Sequence, residues 1–237
     1  MKNSFQHFNW SSILLVFVLA AGGCVKSTPS STTTPFCYVS VMNVAPYSSA
    51  ADIYFNGTLV SPSGGIVPGE FSSQYGSVKP GVYTVDFKVA GTDSVMCELP
   101  SVQYDTSNFY TLIFYNTAPK SPAVSAANIL DNFSSVTATS AYYRFFNLSP
   151  DIPSVDLYLS GTGVQFSRMP ADNINNLIYD EYQAVNAMVY NIQVMKAGTD
   201  SVLATANSTP FAAGTVYTIF LQGKADSLSI SILPALY

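Results

Sequence analysis

The hexapeptide Ala-Gly-Thr-Asp-Ser-Val occurs twice, at Ala90–Val95 and at Ala197–Val202. It belongs to a longer self-match that constrains the fold more than anything else in the chain. Residues 39–60 lie over 143–164 without a gap at an offset of 104, which places Asn43, Pro46, Asp52, Tyr54 and Gly57 on Asn147, Pro150, Asp156, Tyr158 and Gly161. Residues 75–96 lie over 182–203 at an offset of 107, which carries Tyr75, Val82, Tyr83 and the whole hexapeptide; the same offset takes Tyr110 and Thr111 onto Tyr217 and Thr218. Three additional residues in the middle loop of the second copy reconcile the two offsets, because loops absorb insertions. A unit of ~100 residues marks a duplicated domain, since solenoid and propeller units recur every ~20–50 residues.

Within each copy the apolar period is two. Tyr83, Val85, Phe87 and Val89 alternate with Thr84, Asp86 and Lys88, and Tyr190, Ile192 and Val194 alternate with Asn191 and Gln193. That alternation predicts strands with one face inward and one toward water. Similar runs at 38–43, 52–56, 95–99, 108–115 and 123–129 are separated by Gly, Pro, Asn and Ser, which predicts an antiparallel β-sandwich of roughly seven strands per copy. The hexapeptide then falls between two strands. Its Gly supplies a positive φ and its Asp and Ser bond nearby amides, so it reads as a hairpin turn. The only helical candidate is weak, around 171–181.

Composition excludes several classes of function. Charged residues make up 10% of the chain, aromatics 14%, and the net charge is -5, so no nucleic-acid partner is expected: that class needs a Lys/Arg footprint to neutralise phosphates. The one histidine is His7. It lies in the leader, which leaves neither His-based catalysis nor a zinc site for the mature chain. No catalytic residue, metal or cofactor is assigned, and the chain is not expected to be an enzyme.

Residues 1–23 read as a signal peptide, with a polar head and an apolar run from Ile13 to Ala21, about half of what a membrane span requires. The small residues leading to Cys24 resemble the bacterial lipobox, in which that thiol accepts the lipid. Residues 24–35, rich in Ser, Thr and Pro, form a tether that cannot bury enough apolar surface to order itself. The first repeat spans 36–131, a linker 132–140, and the second repeat 141–237. The expected partner at this end is a membrane, reached through the lipid anchor, and the expected location is the cell envelope as an outer-membrane lipoprotein.

The Asn-x-x-Pro segments at 43–46 and 147–150, the Asp-x-Tyr strands at 52–54 and 156–158, the Gly turns that follow and the Tyr-Thr strands at 110 and 217 resemble the family called domain of unknown function 4397. The resemblance covers most of 36–237. It implies an all-β chain of two tandem immunoglobulin-like antiparallel β-sandwich domains in secreted or cell-surface bacterial proteins, often lipoproteins, and no established activity.

Four further groups of residues are candidates for chemistry. Asp52 and Asp156 recur in equivalent strands; one acid per repeat is too few oxygens for calcium, and the expectation is that each accepts amide hydrogen bonds from the preceding Pro-containing loop. Cys37 and Cys97 could form a disulfide in an oxidising compartment or stay free; the second copy has Ala141 and Ala204 in their places. Ser94, Ser201 and Ser227 each follow an Asp and precede an apolar residue, which resembles the acceptor of Bacteroidetes O-glycosylation. Tyr38, Tyr54, Tyr142, Phe146 and Tyr158 project from the strand faces opposite Val41 and Phe145. They read as a ligand or partner surface unless loops or the neighbouring domain cover them. The functional expectation is a lipid-anchored, non-catalytic envelope protein whose repeats serve in binding, adhesion or scaffolding toward a protein or glycan partner; the second reading is a carbohydrate-binding accessory lipoprotein of a glycan-uptake system.

Overall fold

The computed structural model describes residues 35–235, apart from the side chains of Gln165 and Phe166. The signal peptide, Cys24 and all of the tether but its last residue lie outside the described residues. The first half contributes β1 (Cys37–Asn43), β2 (Ala51–Phe55), β3 (Thr58–Leu59), β4 (Gly76–Val78), β5 (Gly81–Val89), β6 (Val95–Tyr104), β7 (Phe109–Asn116) and β8 (Val124–Asp131). The second half contributes β9 (Ala141–Asn147), β10 (Val155–Leu159), β11 (Gly163–Arg168), β12 (Gln183–Val185), β13 (Val189–Lys196), β14 (Val202–Pro210), β15 (Val216–Gln222) and β16 (Ser229–Ala235). The helical candidate is two short 3₁₀ turns, Asp172–Ile174 and Leu177–Asp180. No helix among the described residues is long and apolar enough to cross a membrane.

The sheets repeat with the sequence. Orders β4-β1-β7-β8 and β3-β2-β5-β6 recur as β12-β9-β15-β16 and β11-β10-β13-β14. In each half the two sheets share one apolar core: Val39, Ile53, Phe87 and Leu112 in the first, Phe145, Leu157, Ile192 and Ile219 in the second. The purely antiparallel expectation needs correction, because β1 pairs with β7, and β9 with β15, in parallel. A long excursion through the other sheet separates each parallel pair in sequence, as parallel pairing demands.

Both hexapeptides form the expected hairpins, with Gly91 and Gly198 at φ of 74° and 70°. Asp52 Oδ2 accepts the Gly91 N–H at 2.8 Å and Asp156 Oδ2 accepts the Gly198 N–H at 2.8 Å. These aspartates are therefore amide acceptors, but the donor is the hairpin and not the preceding loop. The hydroxyls of Tyr83 and Tyr190 donate to the carbonyls of Lys79 and Asn186, both at 2.9 Å, so Met188 in place of Gly81 leaves that corner unchanged. Of the two alternatives for Cys37 and Cys97, the structure has the free thiols. Cys37 sits in β1 and donates to the Val78 carbonyl at 3.2 Å, while Cys97 sits in β6 of the other sheet. Burial pushes the Cys97 thiol up to about 12.

Residues from Pro35 onward form one compact unit, because the outer faces of the parallel-paired sheets meet. Met42 and Phe146, Val44 and Leu148, Ile113 and Phe220 are equivalent residues in the duplication, and all six lie in a single buried cluster. The hydroxyl of Tyr47 donates at 2.6 Å to Asp151, its own equivalent 104 residues on. A contact in which the same patch of each copy faces the other has the form of an isologous dimer interface.

One ion pair breaks this symmetry. Arg144, where the first copy has Ser40, lies 2.7 Å from Asp131, and both side chains are essentially inaccessible. Its guanidinium donates to Thr218 Oγ1, Thr111 Oγ1 and the Asp180 carbonyl at 3.0, 3.2 and 3.3 Å. The rings of Tyr182 and Phe146 lie 4.5 and 4.9 Å from its carbon. Asp131 also accepts from Thr111 and Tyr75 at 2.7 and 2.8 Å. Burial opposes the guanidinium charge, and Asp131, Tyr182 and Tyr75 together more than offset it, so Arg144 holds its proton more tightly than an ordinary arginine.

Removing one partner of such a pair leaves a buried charge uncompensated, at a cost of about 3–5 kcal/mol, whereas replacing both with apolar groups is far milder. Arg144→Met should therefore lower the urea-unfolding free energy by roughly that amount, and Arg144→Met with Asp131→Leu should recover most of it. A loss below about 1 kcal/mol for the single variant, the value of an exposed pair, would contradict this.

Candidate functional site

A cleft of about 680 Å³ opens where the two halves meet. One wall is the end of β7 with the turn after it, Tyr115 to Pro119; the other is the loop after β9 and the segment after β11 that carries both 3₁₀ turns. The repeated asparagine organises the second wall. Asn147 accepts the Ser149 N–H at 3.2 Å and donates to the carbonyls of Ile152 and Arg168, each at 3.3 Å, so one side chain pins both loops. Asn43 does the same in the first half, accepting from Ala45 at 3.1 Å and donating to Ile66 at 2.7 Å.

The acids at the cleft are engaged locally. Asp151 accepts from Tyr47 at 2.6 Å and from the amides of Ala225 and Lys120 at 3.0 and 3.1 Å. Desolvation works against its charge, but those three donors hold the carboxyl below its ordinary value. The same bond, ahead of desolvation, pushes Tyr47 up to about 12. Asp172 accepts the Met169 N–H at 3.0 Å, and burial, only partly offset by that amide, raises its carboxyl. The ring of Tyr179 is held by the guanidinium of Arg168, 3.6 Å away. Asn175 and Asn176 are exposed at the mouth, where Asn176 caps the second 3₁₀ turn through the Ile178 N–H at 3.3 Å.

The duplication supplies a second cleft on the equivalent surface, about 340 Å³ in volume, with Gln222, Gly223 and Lys224 where the first has Tyr115, Asn116 and Thr117. Pro46 and Pro150 occupy equivalent places in the two. The larger cleft is the one whose wall carries the insertion.

The residues singled out in the sequence are scattered. Tyr142 and Phe146 are 6% and 0% exposed, Tyr142 beneath the linker residues Phe133 and Val136 and Phe146 within the junction, so for these two the covered reading holds and they form no ligand surface. Tyr38 stacks on Phe109 at 4.8 Å and is half-buried. Tyr54 and Tyr158 are half-buried on the other sheets, with the Lys88 ammonium 4.5 Å above Tyr54. Ser94, Ser201 and Ser227 are exposed in turns; Ser227 donates to Asp226 at 3.1 Å and borders the smaller cleft. None of these residues lines the larger cleft. Tyr115, Asp151 and Tyr179 were not anticipated. A signal did exist for Arg144, one of two arginines in the chain, which interrupts the aromatic run Ala-Tyr-Tyr-Arg-Phe-Phe.

The family model of a domain of unknown function, DUF4397, matches residues 37–158. The chain belongs to the DUF4397 family. The DUF4397 match takes in the whole first half and runs through the junction to β10. No curated protein matches significantly. Among solved structures, the chain has a slight likeness to a carbohydrate-binding module of family CBM26 from Eubacterium rectale Amy13K, solved with maltoheptaose. The two are 12% identical, the match covers 83% of this chain and 95% of that one, and the TM-score is 0.23, too low to carry an argument.

Asp180 ties the cleft wall to the buried pair. It is buried, accepts from Asn173 at 3.4 Å, and desolvation pushes its carboxyl up to about 6 despite Arg144 nearby. The folded state thus binds this proton more tightly than the unfolded chain. The stability linked to it is complete below the unfolded value and is lost as pH rises through about 6. Asp180→Asn removes that loss. The stability of the variant relative to wild type should increase from pH 4 to pH 7.5, read by chemical unfolding at each pH; a difference that stays flat or shrinks would contradict the assignment.

Proposed function

We propose that the chain is a lipid-anchored, non-catalytic cell-envelope protein that binds its ligand in the larger junction cleft. Each half is an immunoglobulin-like sandwich, in keeping with two sheets over one core, and the pair acts as a single rigid binding body. The observation that carries this reading is the cleft itself, with one wall from each half and a volume in the usual range for ligand sites. The anchor rests on the apolar leader ending at Cys24 and on the Ser/Thr/Pro tether that would lift the folded body clear of the lipid. The non-catalytic reading is supported by the carboxylates at the cleft. Asp151 accepts from three donors within the fold, and Asp172 from a backbone amide. A general acid and base would need two free carboxyls with separated pKa values converging on one substrate position.

The test uses isotope-labelled full-length protein titrated with solubilised polymers from its own cell envelope and medium. Amide shifts should cluster at Tyr115, Asn175, Asn176 and Tyr179, and the native protein should carry a palmitate label that Cys24→Ser removes. Shifts confined to the sheet surfaces around Tyr54 and Tyr158 would move the site off the cleft.

A further inference from the structure

We propose that the larger cleft takes a neutral saccharide, its pyranose faces against Tyr179 and Tyr115 and its hydroxyls on Asn175 and Asn176. This rests on the reading of the cleft as a ligand site and assigns the class of ligand.

Charge narrows the choice first. No lysine or arginine lines the cleft, while Asp151 and Asp172 do. An anionic ligand would lose its hydration beside two carboxylates, while the nearest cations are engaged outside the lining: Arg168 on the far side of its contact with Tyr179 and Lys120 beside Asp151. A cationic ligand needs a carboxylate with oxygen to spare. Asp151 has one oxygen on the Tyr47 hydroxyl and the Ala225 amide, and the other on the Lys120 amide. Asp172 has one oxygen on the Met169 amide and the other buried without a hydrogen-bond partner. Three of the roughly four lone-pair sites of Asp151 are taken and one oxygen of Asp172 is buried, so neither carboxylate offers two open oxygens to a cation.

What remains accessible is neutral and mixed in character. The Tyr179 ring is fixed in place by the Arg168 guanidinium, so holding it against a ligand requires little further ordering. Tyr115 packs on the buried junction cluster and is likewise held. The Asn175 side chain makes no hydrogen bond within the protein, and Asn176 uses only its oxygen, so both carboxamides offer donors at the mouth. A flat apolar ring with a polar rim of amide donors and acceptors matches a sugar, which carries an apolar C–H face and hydroxyls that both donate and accept. The smaller cleft serves as an internal control. There the position of Tyr115 is Gln222 and that of Thr117 is the cationic Lys224, so the aromatic platform belongs to one cleft alone.

The measurement is amide-shift titration of the full-length protein, held in a detergent without a sugar headgroup, with neutral oligosaccharides of glucose, xylose and mannose. A uronate oligosaccharide and spermine serve as charged comparators. At least one neutral oligosaccharide should shift Asn175, Asn176 and Tyr179. Tyr179→Ala should weaken that binding about tenfold or more, while Tyr179→Phe, which keeps the ring, should stay within about threefold. Asn175→Asp, at an exposed residue with no internal bond, should also weaken it and guards against misfolding of the tyrosine variant. If only the uronate or spermine shifts the cleft amides, the saccharide assignment is wrong and the cleft remains the site. If neutral sugars shift only the surfaces around Tyr54 and Tyr158, both readings fail. Unchanged affinity in Tyr179→Ala overturns the stacking.

Discussion

A guanidinium and a carboxylate buried together, one from each half of the chain, set the terms for the rest of the molecule. Removing either ion from water costs several kcal/mol, and their attraction offsets this only with near-ideal geometry and further hydrogen bonds. Arg144 and Asp131 are in contact at 2.7 Å, and the further hydrogen bonds come from Thr111, Thr218, Tyr75 and the Asp180 carbonyl, which belong to both halves. A slip of one half against the other would strand the charges, whereas the apolar contact of Met42, Ile113, Phe146 and Phe220 around them is far less particular about alignment. Apolar burial supplies the affinity of the junction; the ion pair selects its register. Because the cleft walls hang from the same strands, a fixed register means a cleft that exists before any ligand arrives.

The junction also bears on how the chain arose. Equivalent residues meet across it, as they would in a symmetric dimer of a single repeat, and the Tyr47–Asp151 bond joins two copies of one position. Duplication then freed the copies to diverge. Ser40 became the counterpart of Arg144, and one cleft gained a longer wall with two 3₁₀ turns while its twin kept a short one. Covalent linkage makes such asymmetry heritable, which a homodimer cannot do.

Local features were legible in the sequence because their causes are local. The Gly at φ near 70°, the period-two strands and the offset of the repeat each follow from a few neighbouring residues. The partners of those features were less so. Asp52 and Asp156 read correctly as amide acceptors, but their donor lies about 40 residues away, across a hairpin. The cysteines face one core from its two sheets, and whether their sulfurs meet is set by packing that strand assignment alone does not give; they stay free. Tyr142 and Phe146 alternate correctly out of their own core, yet period two cannot say whether an outer face meets water or another domain. The runs Phe-Tyr-Thr-Leu-Ile-Phe-Tyr-Asn and Val-Tyr-Thr-Ile-Phe-Leu-Gln did carry that information, since a strand apolar on both faces is covered on both. The cleft left no such trace, for its walls converge from segments about 30 to 60 residues apart, and only the register of the junction brings them together.

The junction makes one rigid body of two repeats, and residual dipolar couplings of backbone amides report on that rigidity. Couplings from the strands of the first half define an alignment tensor, and that tensor should reproduce the couplings of the second half without adjustment. Halves that require separate tensors, differing in magnitude or orientation, would mean that they move independently and that no fixed cleft lies between them.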